Sequence, residues 1–133
     1  MYARLIVFSE KEKAEAAIDK ITAIHQAVEN NRGSTIPAWA YRDVLFMLIH
    51  YSIAYYELLE RKLTDNEKDD LYDVFYRMGK RMGLKELPES YQAWLISRES
   101  HLQADLQSSK YTLDLFKQYR KHLGFFRYRI LVE

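Results

Sequence analysis

Histidine offers this chain its widest chemistry, and there are four histidines. His25 lies on the apolar side of a periodic run rich in Ala and Ile. A neutral imidazole there has two readings. It is a buried core ring hydrogen-bonded to a neighbour, or it presents a lone pair to a metal or haem iron. A lone histidine does not decide between them. His50 lies inside the most apolar stretch of the chain and carries the same alternatives. The two rings would face each other if their helices pack antiparallel, as a short link between them suggests. His101 and His122 stand among charged residues and are expected to be solvated.

Other constellations are missing. The Glu-x-x-His pairs of di-iron bundles are absent, and Glu99-Ser100-His101 has the wrong spacing for one helix face. There is no His-Glu-x-x-His, no glycine-rich phosphate loop and no Gly-x-Ser-x-Gly, which removes most common hydrolase and nucleotide-binding readings. With no cysteine, disulfides, thiolate catalysis, zinc fingers and iron–sulfur clusters are excluded. Eleven tyrosines, among them Tyr51, Tyr55 and Tyr56, are read as core and interface packing or as the lining of an aromatic cofactor pocket. Near the end, Lys117, Arg120, Lys121, Arg127 and Arg129 interleave with Phe125, Phe126 and Tyr128, a mixture that suits nucleic acid or anionic lipid. The formal net charge of only +1 argues against a nucleic-acid partner, so a solvated terminal helix is the preferred reading.

The elements that must position these residues are helices. The chain has 133 residues, one domain's worth, with 48% hydrophobic and 29% charged residues and only four glycines and two prolines. Ser9 and Glu12 have capping-box spacing and open a helix from about Glu10 to Asn31. Its apolar stripe holds Ala14, Ala17, Ile18, Ile21, Ile24, His25 and Val28. Gly33 stops it, and Pro37 starts a second helix over about Ala38 to Leu63. Thr64 and Glu67 repeat the capping box for a third helix, with Leu71, Val74, Phe75, Met78 and Met82 on one face and Gly83 at its end. A fourth starts at Pro88-Glu89-Ser90, carries Tyr91, Trp94, Leu95, Leu102 and Leu106, and breaks at Ser108-Ser109. Thr112 caps a fifth, which Gly124 ends; the tail after it reads equally as helix or extended chain. The expected fold is all-α, a single-domain bundle of five or six helices over residues 1–133.

The N-terminal apolar run is too short for a signal peptide. Val44 to Leu59 is shorter than the ~20 residues of a spanning helix and includes His50, Ser52 and Glu57, so it reads as the central helix of a bundle. No transmembrane helix and a cytoplasmic location are expected, with membrane contact through another face left open.

Three stretches carry a family resemblance. They are Val7-Phe8-Ser9 through Ile24-His25-Gln26-Ala27-Val28; Tyr41-Arg42-Asp43-Val44-Leu45 through Leu63-Thr64-Asp65-Asn66-Glu67; and Met78-Gly79-Lys80-Arg81-Met82-Gly83-Leu84 followed by Leu87-Pro88-Glu89-Ser90-Tyr91. Their order resembles the MpaB-type oxygenases, a family that includes the rubber oxygenases or latex-clearing proteins. The resemblance implies that His25 is the axial ligand of haem b iron and that His50 matches a second-helix histidine at the cofactor. It implies a dioxygen-dependent oxidoreductase acting on an apolar, isoprenoid-type small molecule. The chain departs from the pattern upstream of the turn, where the family places an arginine and a threonine. Here Arg4 is the one upstream arginine, Thr22 is the first threonine, and Ser9 replaces the turn glycine. Family members usually continue beyond the position of Glu133, so the chain reads as a short member. Two functions are therefore expected to compete. One is a haem-dependent oxygenase-like protein; the other is a non-catalytic helical bundle that works by homo-oligomerisation or partner binding.

Overall fold

The computed structural model describes residues 6, 8–104 and 110–132, without the side chains of 125, 126 and 130–132. Among these residues there is no strand, and five long helices carry the fold: α1 (Lys11–Arg32), α2 (Ala38–Leu59), α3 (Asp65–Arg81), α4 (Tyr91–Ala104) and α5 (Lys110–Val132). The all-α expectation holds. The chain forms two compact units, Met1–Leu102 and Gln103–Glu133. Among the described residues no helix is long and apolar enough to cross a membrane. Arg4, Val7, Leu106 and the break expected at Ser108-Ser109 lie outside the described residues, as do the side chains of Phe125 and Phe126.

Within the first unit, local chemistry sets the helix ends. Gly33 takes φ 64°, ψ 24° and closes α1, its N–H donating to the Asn30 carbonyl at 3.3 Å. The Ser9 capping box does not form. Glu10 is the residue before α1, and it makes no side-chain cap. At α3 the same pattern succeeds: the Glu67 N–H donates to Thr64 Oγ1 at 3.3 Å, and the Thr64 N–H donates to Glu67 Oε2 at 2.8 Å. Arg61 grips the Glu67 carboxylate as well, at 2.6 and 2.9 Å, so that side chain is held from two directions. Helix α2 ends at Leu59 rather than Leu63. Beyond it the Glu57 carboxylate accepts the Leu63 N–H at 3.1 Å and pairs with Lys62 at 2.9 Å and Lys68 at 3.3 Å, tying the link to the helix end.

The core gathers Leu45, Phe46, Ile49 and Ile53 of α2, Tyr72 of α3 and Trp94 of α4. Phe46 meets Trp94 edge to face at 6.2 Å, and Tyr91 stacks on Trp94 at 5.4 Å. Each fully buried side chain of this kind contributes about 1.5–3 kcal/mol. Gly79 lets α3 close on this core, because a Cβ there would lie 2.8 Å from both Leu45 Cδ2 and Leu87 Cδ1. Helix α1 packs on α3, where Arg81 clasps Asp19 with two 2.8 Å hydrogen bonds and Glu15 at 2.9 Å.

Two expected stripes are only half used. On α1, Ala17 and Ile18 are buried while Ile24 and Val28 are exposed. Helix α2 is central on one face alone; Val44, Met47, Leu48, Tyr51, Tyr55 and Leu58 face outward. In the second unit, α5 is interrupted by Gly124 at φ 75°, ψ 164°, a glycine-favouring geometry, and the backbone resumes as helix beyond it. That settles the tail as helical through Val132. Thr112, expected as a cap, lies within α5.

Candidate functional site

Where α1 ends and α2 begins, one carboxylate organises the turn. Glu29 Oε1 accepts the Ile36 N–H at 2.7 Å and the Tyr41 hydroxyl at 3.1 Å. Burial, followed by the Glu29 carboxylate, raises the Tyr41 pKa above its ordinary value, so the phenol keeps the proton it donates. The Tyr41 ring is thereby fixed against His25, with centroids 5.3 Å apart at 59°.

His25, Glu29 and Tyr41 form one wall of a cavity of about 330 Å³, together with Thr22, Gln26 and Ala38. Met82, Gly83, Leu84 and Lys85, in the link after α3, form the opposite wall. The volume falls at the lower end of the roughly 300–1,000 Å³ typical of small-molecule sites. The lining is mixed, with apolar Ala38, Met82 and Leu84 beside polar Thr22, Gln26, Glu29 and Lys85. One feature of the His25 ring stands out chemically. Its Nδ1 is buried and has no hydrogen-bond partner. Buried polar atoms are nearly always paired, so an unpartnered imidazole nitrogen in a residue that lines a cavity is unusual.

The other histidines are placed elsewhere. His50 lies nine residues beyond Tyr41 on the same helix, about 13 Å at 1.5 Å per residue, and its ring meets Tyr51 at 5.1 Å. The His25 ring meets Tyr41 and the His50 ring meets Tyr51, and α1 packs on α3. Burial, with the positive Arg98 adding to it, lowers the His50 pKa and favours the neutral ring. His101, expected in solvent, is buried: its Nε2 lies 3.1 Å from Asp43 Oδ1, and its ring packs against Phe46. His122 is exposed, as expected.

A second cavity, of about 320 Å³, lies between Tyr72, Tyr76 and Tyr91 with Asp69, Asp73 and Glu89 at its margin. Several of its polar groups are already engaged. The Tyr72 hydroxyl donates to the Pro88 carbonyl, Asp73 pairs with Arg77, and Ser90 Oγ accepts the Ala93 N–H. The cavity at His25 is therefore the better candidate. Among the described residues no group of three or more His, Cys, Asp or Glu side chains is arranged to hold a metal ion.

Sequence reasoning singled out His25 but missed Glu29, Tyr41 and the Met82–Lys85 wall. Part of the signal was present, because Thr22, His25, Gln26 and Glu29 recur at three- and four-residue steps on one face of α1. The distant wall had none.

No curated protein and no solved structure matches the chain. The family model described as ER-bound oxygenase mpaB/B'/Rubber oxygenase, catalytic domain, matches residues 1–130. With essentially the whole chain covered, this protein belongs to the MpaB/rubber oxygenase catalytic-domain family.

Proposed function

We propose that this chain is a haem-b-binding, oxygenase-type domain in which His25 supplies the axial ligand and an apolar small molecule is the substrate. The observation that carries the reading is the unpartnered, buried Nδ1 of His25, a residue that lines an open cavity of about 330 Å³, in a chain of this family.

The donor set supports haem over a bare ion. A free metal ion needs three or four protein ligands, and no such cluster exists among the described residues. Iron already held by a porphyrin asks the protein for one or two axial groups, and one imidazole is what the wall offers. Haem, when bound, supplies one-electron and dioxygen chemistry. The chain's own residues supply position. Glu29 fixes Tyr41, Tyr41 fixes the His25 ring from one side, and the Met82–Leu84 segment gives the pocket its apolar wall. Lys85, on the same wall, is placed to neutralise a carboxylate of a bound ligand. His50 is not among the residues that line this cavity, so we assign it no axial role.

Hemin titration followed by absorption spectroscopy tests the proposal. The expected result is a Soret shift in the wild type that is lost in His25→Ala and kept in His50→Ala. A wild type without a shift, or a shift that survives His25→Ala, overturns it.

A further inference from the structure

The outer face of α2 follows a rule that the core does not explain. Val44, Leu48, Tyr51, Tyr55 and Leu58 are spaced four, three, four and three residues apart, two full heptads. They are 52, 42, 48, 61 and 78% exposed, and Met47 beside them is 45% exposed. The buried residues Leu45, Phe46, Ile49 and Ile53 occupy the opposite side of the same helix. Helix α2 therefore has two apolar faces, and the first unit covers one.

Charge is kept off this stripe. The charged residues of α2 are Arg42, Asp43 and Glu57. Each is drawn to an intrachain partner: Arg42 to Glu86, Asp43 to His101, and Glu57 to Lys62 and Lys68. What is left is an uncharged ridge whose Tyr51 and Tyr55 rings stack at 5.8 Å, two rigid aromatic contacts near its middle. Apolar ridges of this length are uncommon on monomer surfaces.

We propose that this ridge is where two copies of the chain associate about a twofold axis, α2 against α2. A 4-3 stripe is self-complementary, since each residue seats between residues of an identical stripe. The area suffices. At about half exposure each of the six side chains offers on the order of 100 Å², so two copies bury roughly 1,200 Å² in all, above the ~1,000 Å² that a specific interface needs. The proposal is independent of haem, because the His25 cavity lies on other residues.

Sedimentation equilibrium of the full chain over micromolar concentrations tests it. The expected result is a reversible monomer–dimer equilibrium, with a dissociation constant raised at least ~10-fold in Leu48→Glu. Leu48 is exposed and faces away from the core, and an unchanged helical circular dichroism spectrum confirms folding. Because the chain has no cysteine, Tyr51→Cys gives a clean second reading. Mild oxidation should cross-link it into a dimer, whereas Ala93→Cys on α4 should not cross-link. A wild type that stays monomeric overturns the proposal, including one that instead floats with phosphatidylcholine vesicles. Equal cross-linking at both positions, which marks non-specific aggregation, also overturns it.

Discussion

A histidine kept for packing and a histidine kept for ligation respond oppositely to removal, and His25→Leu exploits the difference. The substitution deletes a buried nitrogen that has no partner, and leaving such a group unsatisfied costs about 1–3 kcal/mol. It also loses the ring contact with Tyr41, worth about 0.5–1.5 kcal/mol. Leucine returns a few tenths of a kcal/mol in helix propensity. The balance is a gain near 1 kcal/mol, which raises the melting temperature by roughly 3–5 °C for a domain of this size. The variant should therefore be more stable than the wild type while failing to shift the Soret band of added hemin. Urea unfolding followed by far-ultraviolet circular dichroism gives the stability, and the hemin titration gives the binding. A variant destabilised by more than about 1 kcal/mol would mean that the wild-type imidazole is satisfied within the fold. His25 would then be a structural residue, and the trade of stability for function that the reasoning requires would be absent.

Two further outcomes follow from the core and the helix ends. Trp94 is 1% exposed with its Nε1 unpartnered, so Trp94→Phe both removes ring volume and relieves an unsatisfied donor. It should cost about 1 kcal/mol or less, against about 3–5 kcal/mol for Trp94→Ala, and equal losses in the two variants on urea unfolding would show that the indole N–H is satisfied. Glu57 and Glu67 are each held at about 2 in the folded chain, against an ordinary 4.5, first by hydrogen bonds from Lys62 and Arg61 respectively and then by the backbone N–H groups of Leu63 and Thr64. Their depressed values favour the folded state above pH 4.5, and that contribution is lost as pH falls toward 2. A Glu57→Gln/Glu67→Gln variant should show a shallower loss of melting temperature over that window; an unchanged acid limb would refute the assignment.

How far the sequence reaches can be judged residue by residue. Helix positions were legible because glycine and proline act locally: Gly33, Pro37 and Gly124 each do what their backbone chemistry dictates. Side-chain caps were only half legible. Thr64-Glu67 and Ser9-Glu12 have the same spacing, yet only the first closes, and there Arg61 holds the glutamate from outside the motif. His101 was misjudged from its charged neighbours. The better signal was its distance of seven residues from Trp94, which puts both on one helix face and into the same core. The exposed side of α2 was hidden for a different reason. A helix apolar all round announces burial without saying which face the chain itself covers.

The site obeys the same division. His25 is visible because it breaks an apolar stripe, and Glu29 shares its face one turn on. The wall opposite comes from Met82–Lys85, more than fifty residues later in the chain. It reaches His25 only because Gly79 lets α3 approach α2 closely while Arg81 clasps α1. No periodicity encodes that meeting; it is a consequence of α1 and α2 both packing on α3. On the proposed reading, haem would bring its own iron and four of its ligands and would ask the protein for one imidazole and a shaped cavity, and a shaped cavity has no signature in sequence spacing.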